Sequence, residues 1–308
     1  MSPQCARKEQ DYIGLFHLFK LFKEGYCFDT LVEAKSAAEF RCIPRPNDFA
    51  EIAEYFLRKA LVSALSMVRD DRGQTPSVIV QFLLDQLQFN DNTANRYSDA
   101  HYIVTLIRSL GHTLAAVATP DVRQFGGQTA IIDAEVAEFL PIALGEVERF
   151  MSTDRLVPSY LNMVTVAGIE FKIKLMLASI IPNTPSFSDF FSYTRDGNYP
   201  SVRIAAFEAI LLLKIFDVLP LLSYVFSVLR SDSSMLVRRR LAQALVTHLP
   251  ILVAVRDIAA PAKETLVLED GTEKKKDDLD VDKNVIKALR REVGRSKTLR
   301  DGLLNVLL

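Results

Sequence analysis

Apolar residues recur at steps of three and four along most of the chain, the spacing of helices that bury one face, and no useful length alternates as a strand would. The clearest stretch runs from Asn47 to Arg69, where Phe49, Ile52, Ala53, Phe56, Leu57, Ala60, Leu61, Ala64, Leu65 and Val68 share one stripe. The pattern predicts one long helix with that wide stripe buried. Asn47 and Asp48, following Pro44 and Pro46, are its candidate N-caps, and Asp70, Asp71, Arg72 and Gly73 are its stop.

A second helix is expected to open with Thr75 as cap and Pro76 at its first position, burying Ile79, Phe82, Leu83 and Leu87. After the polar run NDNTANR, Ser98 or Asp99 caps a third, carrying Tyr102, Ile103, Leu106, Ile107 and Leu110, with Gly111 at its C-terminal end. Short links make these three helices antiparallel neighbours. Residues 119–129, with Pro120 and Gly126-Gly127, read as loop. Helical patterns follow over 131–151, broken near Pro141, and over 158–180. The segment NTPSFSDFFSYTRDGNYP reads as turns, and three more apolar helices are expected over 201–216, 218–230 and 234–248.

An approximate internal repeat turns this series into an array. Residues 200–210 align with 235–245, placing Val202 opposite Val237, 35 residues on, and Arg203 opposite Arg238. A shared Val-Arg opening followed by small alanines suits the second helix of a HEAT unit, where paired helices approach closely and a lone unit leaves one face wet. The fold class is therefore all-α, a HEAT-like α-solenoid of antiparallel helix pairs over 1–260. Residues 261–283 contain LEDGTEKKKDDLDVDK, too charged to offset their ordering entropy, and read as a disordered linker. Residues 284–308 form a last amphipathic helical segment with a basic face.

Composition narrows the function classes. With 37 Lys and Arg against 38 Asp and Glu, the net charge of −1 gives no global attraction to nucleic acid, so any DNA contact has to be local. The basic face of the last segment, Lys287, Arg290, Arg291, Arg295 and Lys297, is the candidate for phosphate-backbone contact, with a merely solvated helix face as its alternative. Arg203 and Arg238 are expected to be structural residues of the repeat. The stretch Ile204–Leu229 nears the length of a membrane span, but Glu208, Lys214, Asp217 and Pro220 divide it into two buried helices. The odd cysteines, Cys5, Cys27 and Cys42, fit a reducing compartment and read as small core residues rather than nucleophiles. None of the four histidines lies four residues from another, which excludes a His-Glu-x-x-His zinc site. No catalytic residue, metal site, cofactor, membrane contact or small-molecule substrate is expected.

The most specific stretch is FLLDQLQFNDNTANRYSDAHYI, Phe82 to Ile103, with RPNDFAEIAEYFLRKALVSALSMVRD, Arg45 to Asp70, upstream of it. Together they closely resemble the C-terminal region of the family of TFIID subunit 2, the aminopeptidase-like TBP-associated factors. The resemblance is close over 45–110, continues as repeat character to about 249 and fades beyond. It implies a nuclear, architectural role in core promoter recognition and RNA polymerase II pre-initiation complex assembly. The implied partners are other TFIID subunits (TBP-associated factors and TBP) and promoter DNA or chromatin. These 308 residues do not include the aminopeptidase-like domain that precedes the repeats in that family, so functions that reside there are not assigned to them. The candidate partner-binding residues are Asn90, Asp91, Asn92, Asn95, Arg96, Tyr97 and Asp99. Turn and cap chemistry alone explains Asn90, Asp91, Asn92, Ser98 and Asp99, which leaves Arg96 and Tyr97 as the contact residues. Two other readings stay open: a HEAT adaptor of transport or coat assemblies, and the helical C-terminal domain of a peptidase-like protein.

Overall fold

A computed structural model of the chain describes residues 13–28, 41–70, 74–115, 137–181, 187–213, 219–259 and 300–301. The chain divides into two compact units, 1–186 and 187–308. Among the described residues the regular structure is helical, with one isolated antiparallel bridge between Cys27 and Pro44. The linker, the basic segment residues Lys287 to Lys297 and the 119–129 loop lie outside the described residues.

The first unit contains α1 (Ile13–Tyr26), α2 (Ile52–Ser66), α3 (Ser77–Gln88), α4 (Ala100–Ala115), α5 (Phe139–Leu156) and α6 (Met163–Leu177). Cross-helix contacts give their directions. Arg108 pairs with Glu170, and His112 meets Lys174, each 62 residues apart, so α4 and α6 run parallel. Lys172 pairs with Glu148, and Asp154 accepts from Thr165, so α5 and α6 run antiparallel. Parallel alternate helices with an antiparallel helix between them are the stacking pattern of a helical repeat array.

The α4–α6 contact is close because Gly111 sits in it. A Cβ there would lie 3.1 Å from Cδ2 of Phe171 and 3.7 Å from its Cα. Gly111 is thus a packing residue inside the helix, and the expected C-terminal cap is corrected: α4 continues to Ala115. Gly168 plays the same part between α6 and α5, where a Cβ would fall on the Met151 thioether.

The largest departure from expectation is in α2. It begins at Ile52, because Asp48 Oδ1 accepts from Ala50 N (2.8 Å) in a turn before the helix and Asn47 turns inward. The side chains it buries are Tyr55, Arg58, Val62, Leu65 and Ser66. The predicted stripe instead faces outward in large part, with Ile52, Phe56 and Leu57 exposed. Rotation of the helix follows Arg58, whose N–H groups find acceptors inside.

Elsewhere boundaries move for local reasons. Ile79, Phe82, Leu83 and Leu87 are buried as predicted, with Pro76 just ahead of the helix. Pro141 lies in the first turn of α5, where no N–H is required. The helix expected from 158 starts at Met163, because Tyr160–Asn162 form a 3₁₀ turn with Leu161 and Asn162 at φ 56° and 51°. Buried Asp154 fastens that turn: its carboxylate accepts from Ser159 N (2.7 Å) and Thr165 N (3.0 Å). Burial opposes its ionisation, but these hydrogen bonds prevail and hold its pKa below the usual carboxylate range. Cys27 and Cys42 are buried as expected, yet joined to each other in a disulfide rather than unpaired.

The second unit contains α7 (Phe187–Tyr193), α8 (Pro200–Leu212), α9 (Leu219–Ser231) and α10 (Met235–Ala259). The short α7 replaces part of the expected turn segment, because burying Phe190 and packing Phe191 on the Tyr224 ring favour a helix. The aligned repeat positions Val202 and Val237, Ala206 and Leu241, Ala209 and Ala244 are all buried. Arg203, buried, donates to Thr194 O (2.9 Å) and pairs with Asp232 and Asp196, which ties α8 to the turn before it and to the turn between α9 and α10. Arg238 is only half-buried, so the two arginines are not equivalent. Burial works against the Asp232 carboxylate, but Arg203 and Ser234 N outweigh it and lower its pKa.

Replacing Gly111 by Val is expected to destabilise the first unit by about 2–3 kcal/mol through overpacking against Phe171. Gly145→Ala, where nothing lies within 4 Å, should instead stabilise by about 0.5–1 kcal/mol; urea unfolding of both variants checks the pair. Because Asp154 and Asp232 have depressed folded-state pKa values, their stabilisation is fully present above the unfolded value of about 4 and lost as pH falls through the folded values. Acid unfolding of Asp154→Asn and Asp232→Asn should therefore show lower stability at neutral pH and a shallower acid limb than the parent.

Candidate interaction site

The candidate loop between α3 and α4 is shaped by its own side chains. Asn90 Nδ2 donates to Asp99 Oδ2 (2.6 Å), and Asp91 Oδ1 accepts from Thr93 N and Oγ1 (2.9 and 2.7 Å). Asn92 Nδ2 donates to Tyr97 O (2.7 Å), while its Oδ1 accepts from Asn95 Nδ2 (2.7 Å). Ser98 Oγ accepts from Ala100 N at the start of α4 (3.3 Å). These contacts hold Asp91 below the ordinary carboxylate range through Thr93, whereas burial raises Asp99 against the pull of the Asn90 hydrogen bond.

Five candidate residues, Asn90, Asp91, Asn92, Asn95 and Asp99, therefore act within the loop. The structure brings them together with Arg96 and Tyr97, which point away. Arg96 is exposed and makes no hydrogen bond or ion pair with a described residue. Tyr97 is 63% exposed, and its ring meets the edge of Phe49 at 5.8 Å.

The loop is fastened to the core through Arg58, a residue that the sequence pattern did not single out. Asn95 Nδ2 also donates to Asn47 O (2.7 Å). Asn47 Oδ1 in turn accepts from Arg58 Nη1 (3.2 Å), which also donates to Arg45 O (2.9 Å). Arg58 Nε donates to the hydroxyl of fully buried Tyr102 (3.1 Å), and Tyr102 donates to Gln86 Oε1 (3.4 Å). The guanidinium also lies over the Tyr102 ring at 4.5 Å, a cation–π contact in a desolvated setting. Positions 55, 58, 62 and 65 do follow helical spacing, but the charge at 58 hides this stripe from a hydropathy reading.

Among the described residues no group of three or more His, Cys, Asp or Glu stands where it could hold a metal ion, and no helix is long and apolar enough to cross a membrane. The exposed face of α2, with Ile52, Phe56 and Leu57, lies on the helix that carries Arg58.

Residues 12–268 match the family described as TAF2-like, TPR repeats. The chain is 31% identical to transcription initiation factor TFIID subunit 2 of Schizosaccharomyces pombe, over 99% of its own length and 25% of that protein. Against the Drosophila melanogaster protein of the same name it is 30% identical over 66% of its length, covering 16% of that protein. Against that of Danio rerio it is 32% identical over 55%, covering 14%. The chain thus spans a quarter or less of the length of these relatives.

Substituting Arg58 by Ala leaves Tyr102, Asn47 and Arg45 O without their donor and is expected to cost about 3 kcal/mol. Tyr102→Phe, which keeps the ring under the guanidinium, should cost about 1–2 kcal/mol. Equal losses in the two variants by urea unfolding would contradict Arg58 as the hub.

Proposed function

The chain belongs to the TAF2-like family with TPR repeats, and from that premise we propose that it is a non-catalytic architectural segment of a TFIID-type general transcription factor. Its work is nuclear: it supports core promoter recognition and pre-initiation complex assembly by holding other TFIID subunits, TBP-associated factors and TBP among them. The observation that carries this reading is the match of nearly the whole chain to a protein whose name is TFIID subunit 2. The repeat array supplies the surface, since its helices are held by packing on their neighbours in the stack. Arg96 and Tyr97 are the docking residues of this reading, held in place by a loop whose hydrogen bonds are made before any partner arrives, so little ordering cost falls on binding. The basic stretch Lys287, Arg290, Arg291, Arg295 and Lys297, beyond the charged 261–283 linker, is assigned to phosphate backbone contact with promoter DNA or chromatin.

Affinity purification of the tagged chain from nuclear extract, followed by mass spectrometry, tests the proposal. TFIID subunits are expected with the parent chain and lost, or reduced at least about tenfold, with Arg96→Ala/Tyr97→Ala, a drop equal to about 1.4 kcal/mol. The double variant should remain folded with only a small drop in unfolding temperature, because neither side chain contributes to the loop's hydrogen bonds and only the Tyr97–Phe49 ring contact is lost. Recovery of transport or coat proteins without TFIID subunits would overturn the reading.

A further inference from the structure

Between the 45–51 segment and α2 lies a cavity of about 260 Å³, lined among others by Tyr26, Asn47, Asp48, Glu51, Glu54 and Arg58. Two of its lining residues carry a buried donor that finds no acceptor among the described residues. Arg58 uses Nε and Nη1 but leaves Nη2 over, and Asn47, whose Oδ1 is taken by Arg58, leaves Nδ2 over. Both residues are 3% exposed. A buried cation with a free N–H, beside a second free N–H, is a costly arrangement unless an acceptor joins it. No carboxylate among the described residues forms an ion pair with Arg58, and its hydrogen-bond acceptors, Tyr102, Arg45 O and Asn47, are all neutral groups.

The mouth of the cavity has the opposite character. Asp48, Glu51 and Glu54 are exposed there, against Arg45 and the buried Arg58, so a net anionic ligand is disfavoured. The walls are phenolic: burial, and for Tyr26 also the hydrogen bond to Glu54, raise Tyr26 and Tyr55 to about 12, which keeps both rings neutral. The Tyr26 ring lies over the guanidinium at 5.7 Å and is tethered by its hydroxyl to the exposed Glu54. A ligand that suits every part has a neutral acceptor for the deep donors and a cation for the rim. An extended peptide with a lysine or arginine side chain has both, and the volume, just under that of typical small-ligand sites of about 300–1,000 Å³, admits one such residue with its flanking peptide units.

We propose that this cavity binds a short basic peptide segment of a partner protein. One main-chain carbonyl accepts from Arg58 Nη2 and Asn47 Nδ2 once the Tyr26 ring moves aside, and the adjacent Lys or Arg side chain pairs with Glu51 and Asp48. The proposal does not depend on which assembly the chain serves. Because Asn95 donates to Asn47 O, the site shares its wall with the Arg96–Tyr97 loop.

The test uses the full chain and fluorescein-labelled capped nonapeptides of alanine and glycine carrying two lysines, two glutamates or neither, with binding read by anisotropy. The lysine peptide is expected to bind at least tenfold more tightly than the glutamate peptide. Asp48→Asn/Glu51→Gln, which keeps the Asp48 turn acceptor, should weaken it at least fivefold without moving the unfolding temperature. Glu138→Lys, exposed just ahead of α5, should leave it unchanged. Asn47→Asp gives Arg58 a carboxylate of its own, so it should raise the unfolding temperature while weakening the lysine peptide. Equal affinity for the three peptides, no binding of the lysine peptide, or binding that ignores both cavity variants would overturn the proposal and leave the cavity to water.

Discussion

The guanidinium of Arg58 is the constraint on which the first unit turns. A cation brought to 3% exposure needs its charge and its N–H groups accommodated, and here the accommodation comes from Tyr102, Arg45 O and Asn47. These lie on two parts of the chain outside α2, the 45–47 segment and α4, so satisfying one side chain fixes the rotation of α2, the path of 45–47 and the depth of α4 together. The same set continues through Asn47 to Asn95 and Asn92, so the polar loop between α3 and α4 takes its form from the core outward.

Stacking imposes the second constraint. α4 and α6 run parallel, and their seam brings a glycine against an aromatic ring, while α5 and α6 close over Gly168 and Met151. Where a glycine on one helix meets a ring or thioether from the next, the distance between helices is fixed by hard contact. That is the rigidity a scaffold needs. The second unit meets an equivalent demand with charge, since Arg203 joins the turns around α8 through Asp196, Asp232 and Thr194 O.

Function in such a fold resides at what the stacking leaves over. Asn90, Asp91, Asn92, Asn95 and Asp99 are used within their loop; Arg96 and Tyr97 are not. The apolar residues of α2 that Arg58 turns outward, and the two donors it leaves beside the acidic rim, lie on the same part of the first unit. Membership of the TAF2-like family places these features in a protein whose relatives are named as parts of a transcription initiation factor.

The sequence by itself determined the all-helical class, most helix positions, the buried residues of α3 and α4 and the equivalence of Val202 with Val237, because period, caps and small-residue spacing are local properties read within a few turns. It also determined the family, through a long stretch of low degeneracy around Asn90 to Tyr102. It named the candidate loop and the two side chains that face away from it. Only the tertiary structure decided which face of α2 goes inside. Two stripes share that helix at the same spacing, and hydropathy favours the apolar one, yet the stripe through Tyr55, Arg58, Val62 and Leu65 is the buried one. Its burial depends on acceptors from 45–47 and from Tyr102, brought together across 11 to 44 residues of chain. Gly111 was misplaced for the same reason: a glycine near a helix end resembles a cap until the Phe171 ring that needs its space is in position.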